Sequence, residues 1–303
     1  MAIPVPSPER AEIEHGIARV NSIELHYAKC GAGKLLLFLH GFPEFWYAWE
    51  KQLPYFGSDF LAVAPDLRGY NLSSKPKEVD SYAINHLAAD VRELAGHFGA
   101  KKFYLAGHDW GGAVAWATAI AFPELVEKLV IINAPHPGVF MRELRENPAQ
   151  QQASLYMRAF QEAGAEEFLS GNDFAALQTT VLQKGLEEGY FTAADREAYL
   201  EAWRQPGAIA GGLNYYRAAK IGPPAAGTRE VFGGASELPN LNVVVPTLVI
   251  WGEKDPYLLP GCLNGIERFV RDLRVERIPD ASHWVVHEKP EMVNQLIKKF
   301  LIS

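Results

Sequence analysis

Cysteine is almost missing from this chain, which carries Cys30 and Cys262 and no other in 303 residues. A protein of this size buries enough apolar surface to hold itself together without disulfides, so nothing points to an oxidising compartment. Basic runs are missing too: 29 Lys and Arg stand against 36 Asp and Glu, a formal charge of −7, with no cationic cluster to track a phosphate backbone. Nucleic-acid binding is excluded on charge. Acidic tails, internal repeats and low-complexity tracts are absent. No apolar stretch approaches the ~20 residues of a membrane span. The opening MAIPVPSPERAEIEHG has charged residues where a secretory signal needs apolar ones. The expectation is a soluble cytoplasmic protein with neither membrane nor nucleic acid as partner.

What is present is a globular composition, 48% hydrophobic, 21% charged and 12% aromatic, which excludes wholesale disorder. At about 150 residues per domain the length would give two units, but α/β folds run past 200 as one, so one large core with an insertion is expected. Ile17 to Lys29 alternates on either side of Asn21-Ser22 and reads as a hairpin. Leu35 to Leu39 is continuously apolar, as suits a parallel strand buried on both faces. Strands at Phe60–Ala64, Lys102–Ala106 and Leu129–Ile132 then alternate with helices at Ile84–Phe98 and Gly111–Ala121. This βαβ order predicts an α/β, mostly parallel doubly wound sheet. Residues 136–240 interrupt the alternation and read as a helical cap, with a helix start at Thr192-x-x-Asp195 and a loop at Gly222–Thr228. The division is thus 1–135, core; 136–240, cap; 241–303, core. The last part holds a strand from Val243 to Trp251, a helix over Leu259–Arg271, a strand over Leu273–Ile278 and a closing helix over Pro290–Leu301.

The chemistry is concentrated at the C-terminal ends of these strands, where open α/β sheets collect their ligands. Residues 102–112, KFYLAGHDWGG, run strand, turn, helix, and flanking glycines let the middle residue, Asp109, sit strained and exposed. His40-Gly-Phe-Pro43 follows the Leu35 strand, where a loop must aim a backbone N–H at a nucleophile. Asp255 and His283 follow the last two strands, giving the chain order nucleophile, acid, histidine.

With these residues the sequence resembles the α/β-hydrolase fold, and within it the epoxide hydrolases. HGFP at 40–43, DLRGY at 66–70, GHDWGG at 107–112, EKD at 253–255 and SHW at 282–284 match that family's motifs, and the likeness spans nearly the whole chain. One departure is Asn71 after Tyr70, where relatives more often carry Gly; Asn tolerates left-handed angles. The resemblance implies hydrolysis of lipophilic epoxides, with water as co-substrate and neither cofactor nor metal. It also implies two proton-donating tyrosines, matched here by Tyr156 before Phe160-Gln-Glu and Tyr216 in Leu213-Asn-Tyr-Tyr-Arg217.

An aspartate suits that chemistry. With an ordinary pKa of ~3.9 it is already anionic at neutral pH and displaces at saturated carbon unaided. The resulting ester on Asp109 would be hydrolysed by water deprotonated by His283, oriented by Asp255, with the backbone N–H groups of Phe42 and Trp110 as the oxyanion hole. Epoxide opening makes an alkoxide that needs a proton, whereas halide does not. Haloalkane dehalogenases share the aspartate and following Trp, but usually have a halide-binding Asn where this chain has Phe42, and lack the tyrosine pair. Fluoroacetate dehalogenases follow the nucleophile with Arg, here Trp110. A catalytically dead binding protein would be expected to have lost a triad member. His40 and His108 read as structural hydrogen-bonders, Asp66 and Arg68 as fixing their loop, Gly31–Lys34 as a turn, Asn71-Leu-Ser73 as an idle sequon, and His287 as surface or supporting.

Overall fold

The computed structural model describes residues 12–224 and 240–303. The stretches 1–11 and 225–239, and with them most of the segment read for a secretory signal and part of the Gly222–Thr228 loop, lie outside the described residues. Among the described residues eight strands form one sheet: β1 (Glu14–Val20), β2 (Ile23–Cys30), β3 (Leu35–Leu39), β4 (Leu61–Pro65), β5 (Phe103–His108), β6 (Val126–Ile132), β7 (Thr247–Gly252) and β8 (Leu273–Ile278). Their order is β1-β2-β4-β3-β5-β6-β7-β8, antiparallel at β1-β2 and β2-β4 and parallel from there on.

The first two strands meet through Asn21 and Ser22, both at positive φ, 45° and 64°. Two consecutive positive φ values are what a two-residue hairpin turn with the sheet's own twist demands.

The continuous apolar runs follow from burial on two faces. Leu35, Leu37 and Leu39 of β3 point into one core layer, and Leu36 and Phe38 into the other. Leu105 against Ala106, and Val249 with Trp251 against Leu248 with Ile250, repeat the division in β5 and β7. With period-two side chains, a strand covered on both sides has no polar positions to spare. Each fully buried Leu contributes roughly 2 kcal/mol. Strand β8 at the edge is the exception: Arg274, Glu276 and Arg277 are exposed, and such charges protect a free edge from pairing.

One expected helix does not form. Leu259–Arg271 folds as two single 3-10 turns, Pro260–Leu263 and Ile266–Arg268. Gly265 at φ 80° stands between them, and Asn264 before it is extended, so the i→i−4 ladder cannot propagate. Val243 is likewise not part of β7 and makes an isolated bridge to Val270, because Pro246 lacks the donor to continue the ladder.

Between β6 and β7 the described chain is helical, from Pro137–Glu146 to Ala208–Ala219. Thr192 and Asp195 form the reciprocal capping box that starts Ala193–Arg204. These helices cover the C-terminal edge of the parallel strands; Trp203 Nε1 donates to the Pro43 carbonyl at 2.7 Å and Tyr215 Oη to that of Arg68 at 2.9 Å. Among the described residues no helix is long and apolar enough to cross a membrane.

Candidate active site

Strand β5 ends at His108 and the helix Trp110–Ala121 begins two residues on, so Asp109 alone reverses the chain. It does so at φ 51° and ψ −121°, a conformation that costs a non-glycine residue on the order of 1–3 kcal/mol. The turn is tight enough to require glycine on several sides. A Cβ at Gly107 would lie 2.3 Å from the Gly111 carbonyl oxygen, one at Gly111 2.2 Å from that of Leu39, and one at Gly41 2.4 Å from the Asp109 Cβ. The Asp109 side chain is 13% exposed at the sheet's C-terminal edge, and its Oδ1 accepts the Phe42 N–H at 2.8 Å. Trp110 opens the helix, so its N–H has no intrahelical acceptor.

His283 reaches the same point from the loop after β8. Its Nε2 is 3.7 Å from Asp109 Oδ2, and its Nδ1 donates to Asp255 Oδ2 at 2.7 Å. Asp255 is buried and fully employed: Oδ2 also accepts from Asn133 Nδ2 at 2.8 Å, and Oδ1 from the N–H groups of Tyr257 and Leu258 at 2.8 and 2.9 Å. Burial alone would raise the Asp255 pKa, but the His283 charge and these donors outweigh it and hold it below the usual range. Burial would lower His283; the adjoining Asp255 charge and hydrogen bond, with Asp109 behind them, push it up to about 9.

Asn133 was not foreseen. It directly follows β6 at φ 39°, and its side chain accepts the Gly252 N–H at 2.8 Å while donating to Asp255, so it ties the acid's loop to the neighbouring strand. The available signal was an Asn directly after a buried strand and before Ala-Pro, a position suited to a left-handed residue.

A second buried group lies behind His283. His108 Nε2 donates to the His283 carbonyl at 2.9 Å, and its Nδ1 faces Glu44 Oε2 at 3.4 Å. Glu44 Oε1 accepts from His287 Nε2 at 2.6 Å and from Tyr199 Oη at 2.7 Å. His287 is therefore not at the surface: it is 5% exposed and hydrogen-bonded to a buried carboxylate. Burial would raise Glu44, yet His287 and His108 hold it well below the carboxylate range. Nothing in the sequence marked Glu44 beyond its place after HGFP, or Tyr199 at all. His40 is structural, Nδ1 donating to the Gly41 carbonyl and Nε2 accepting the Leu67 N–H. Arg68 pairs with Asp90, and Asp66 binds the Trp46 N–H, so both fix the loops where they stand.

Tyr156 and Tyr216 close the site from the helical side. Their rings lie 6.2 Å apart, Tyr216 is 5.1 Å from Trp110, and Tyr216 packs 5.5 Å from Phe42. Both phenols are raised well above 10, first by burial; the Asp109 charge adds to this in both and Tyr156 adds to it in Tyr216. They therefore keep their protons at neutral pH. Two cavities, of about 140 and 240 Å³, meet here, and each is lined by Asp109, Tyr156 and Tyr216. All seven residues expected at the site, Phe42, Asp109, Trp110, Tyr156, Tyr216, Asp255 and His283, thus converge, although they come from six separate chain segments.

The arrangement provides a carboxylate at the strand-to-helix turn, an imidazole held between two carboxylates, two neutral phenols and two apolar cavities. The family model for the alpha/beta hydrolase fold matches residues 34–290. An AB hydrolase superfamily protein of Bacillus subtilis is 41% identical over 287 residues, 93% of this chain and 95% of that one. Epoxide hydrolase 4 of Mus musculus is 38% identical over 292 residues, 93% and 77% of the two chains. Among solved structures, a Bacillus megaterium epoxide hydrolase in complex with an inhibitor superposes with a TM-score of 0.88 at 41% identity, over 95% of this chain and all of that one. The chain belongs to the alpha/beta hydrolase fold family, among its epoxide hydrolases.

Proposed function

We propose that this protein hydrolyses lipophilic epoxides to vicinal diols through an ester on Asp109. The observation that carries the reading is the cavity at which the Asp109 carboxylate and the phenols of Tyr156 and Tyr216 meet, with His283 bridging Asp109 to Asp255. An Asp109 oxygen attacks one ring carbon, the C–O bond breaks, and a tyrosine proton passes to the epoxide oxygen. Ester formation removes the Asp109 charge that helps keep His283 protonated. His283 then gives up its proton, the tyrosinate is reprotonated, and a neutral imidazole is left to act as base.

Water attacks the carboxyl carbon while His283 takes its proton. The oxyanion is held by the N–H groups of Phe42 and Trp110, and the first of these already binds the carboxylate in the resting site. Collapse expels the second alkoxide, which receives the proton from His283, and water's other proton returns His283 to its cationic state. Asp255 remains charged throughout and orients the ring. In the domain reading that goes with this, 1–135 and 241–303 form the core and 136–240 the cap that supplies the tyrosines.

The test is diol formation by the purified protein from styrene oxide, with halide release from 1,2-dibromoethane and fluoroacetate assayed alongside. Diol without halide is the expected outcome. Halide without diol would make the two tyrosines packing residues and the reaction a dehalogenation.

A further inference from the structure

Asp255 stands in a loop, 253–259, that belongs to no strand or helix. Side chains hold it instead. Asp255 Oδ1 accepts the N–H groups of Tyr257 and Leu258. Gln150 takes the groups on either side: its Nε2 donates to the Tyr257 carbonyl at 2.7 Å, and its Oε1 accepts the Leu259 N–H at 2.9 Å. A residue in a parallel ladder reads its neighbour in the same way, the C=O of one residue and the N–H two further on. Gln150 belongs to the helix Pro148–Ala153 and is fully buried. Its second N–H goes to Ser154 Oγ at 2.8 Å, and its oxygen also accepts from Cys262 Sγ at 3.4 Å, so both donors and the acceptor are used. Ser154 is the N-cap of the helix Leu155–Ala159, which carries Tyr156. The Tyr257 ring completes the link, its centroid 5.5 Å from that of His283 and 5.6 Å from that of Tyr156.

We infer, on the basis of the epoxide-hydrolase reading, that Gln150 is a positioning residue for both chemical steps, because one buried carboxamide sets the acid's loop and the proton donor's helix against each other. Burying a carboxamide is unfavourable unless its hydrogen bonds are made, and an apolar side chain of the same length would fill the space without that requirement. What the amide adds is direction. Its bonds to residues 257 and 259 fix the path of the loop, and Asp255 moves with the loop because its Oδ1 holds two N–H groups of the same stretch. Any displacement passes to His283 through the 2.7 Å bond from its Nδ1 to Asp255 Oδ2. The bond to Ser154 acts on the other side, at the turn from which Tyr156 enters the site. A misplacement of 1 Å in such a site costs about 10²-fold in rate. The kinetic signature is distinct: Tyr156 and Tyr216 serve alkylation, Asp255 and His283 serve hydrolysis, and Gln150 acts on both without touching a reacting atom.

The test is single-turnover kinetics with styrene oxide and the purified protein in saturating excess. Disappearance of the epoxide reports alkylation and appearance of the diol reports hydrolysis. Gln150→Met keeps the length of the side chain and removes its hydrogen bonds, and both rate constants should fall by about tenfold to 10²-fold. Ser154→Ala removes only the arm to the Tyr156 helix and should slow alkylation several-fold while hydrolysis keeps its natural rate. A single-turnover rate constant belongs to the folded molecules alone, so a side chain that merely stabilised the fold would lower the amplitude and leave both constants unchanged. That outcome in Gln150→Met would overturn the positioning role, as would the slowing of one step alone. Should Gln150→Met not fold, an unaltered alkylation rate in Ser154→Ala overturns it. No consumption of styrene oxide by the natural protein would instead overturn the epoxide-hydrolase reading itself.

Discussion

His283 stands between two carboxylates, 2.7 Å from Asp255 through Nδ1 and 3.7 Å from Asp109 through Nε2. In the proposed mechanism the two partners fare differently: Asp255 stays charged, whereas Asp109 becomes a neutral ester. On that mechanism a ring held at about 9 in the resting site would be released towards its ordinary range when it is needed as a base.

The first prediction concerns that intermediate. Asp109→Ala should abolish turnover, while His283→Gln should allow alkylation and block hydrolysis, so that protein and substrate combine stoichiometrically. Mass spectrometry of the His283→Gln protein after incubation with styrene oxide should find the substrate's mass on the peptide bearing Asp109. With the natural enzyme in excess over substrate and in ¹⁸O-water, the label should enter Asp109 and not the diol. Label in the first-turnover diol would mean that water attacks the epoxide directly.

Stability should carry the mark of the same ring. His283 in the folded state sits at about 9 against 6.5 unfolded. Its contribution is therefore complete below pH 6.5 and disappears as the pH rises through 9. Between pH 6.5 and 9.5 the unfolding free energy measured by urea titration should fall more steeply in the natural protein than in His283→Gln. Parallel slopes would refute the raised value.

The fold and the site were legible in the sequence to different degrees, for physical reasons. Strands β3 to β7 announced themselves because a strand covered on both faces must be apolar throughout, and the Asp109 turn because its glycines are sterically required. The Leu259–Arg271 helix was misread because the apolar spacing of Leu263, Ile266 and Val270 looks helical while Gly265 quietly breaks the backbone. Glu44 escaped, and His287 was left open between surface and support, because their roles exist only in combination: they lie 243 residues apart and meet only in the folded chain. Local sequence reports backbone requirements well and long-range charge balance poorly.

The tyrosines should act on the first chemical step. A positioned general acid is worth about 10²–10⁴ in rate. Tyr156→Phe and Tyr216→Phe should each slow alkylation in stopped-flow single turnovers, and the double variant should lose more than either. The hydrolysis step should be little changed, because the phenols are not needed for it. Single variants with unaltered alkylation rates would move the proton-donor role elsewhere.

Asn133 offers a last test, because its side chain serves fold and site at once. It accepts from Gly252 N–H and donates to Asp255 Oδ2, both at 2.8 Å and both buried. Truncation to Ala leaves a backbone donor without this partner and takes one donor from a buried carboxylate, a loss of about 1–3 kcal/mol for each buried group left unsatisfied. The expected result is a lower urea midpoint together with slower hydrolysis of the ester, since the loop carrying Asp255 loses its tie to β6. Asn133→Asp separates the two effects, for it keeps an acceptor for Gly252 but sets a second carboxylate against Asp255. If ester hydrolysis were slowed no more in Asn133→Asp than in Asn133→Ala, the contact with Asp255 would matter only for stability.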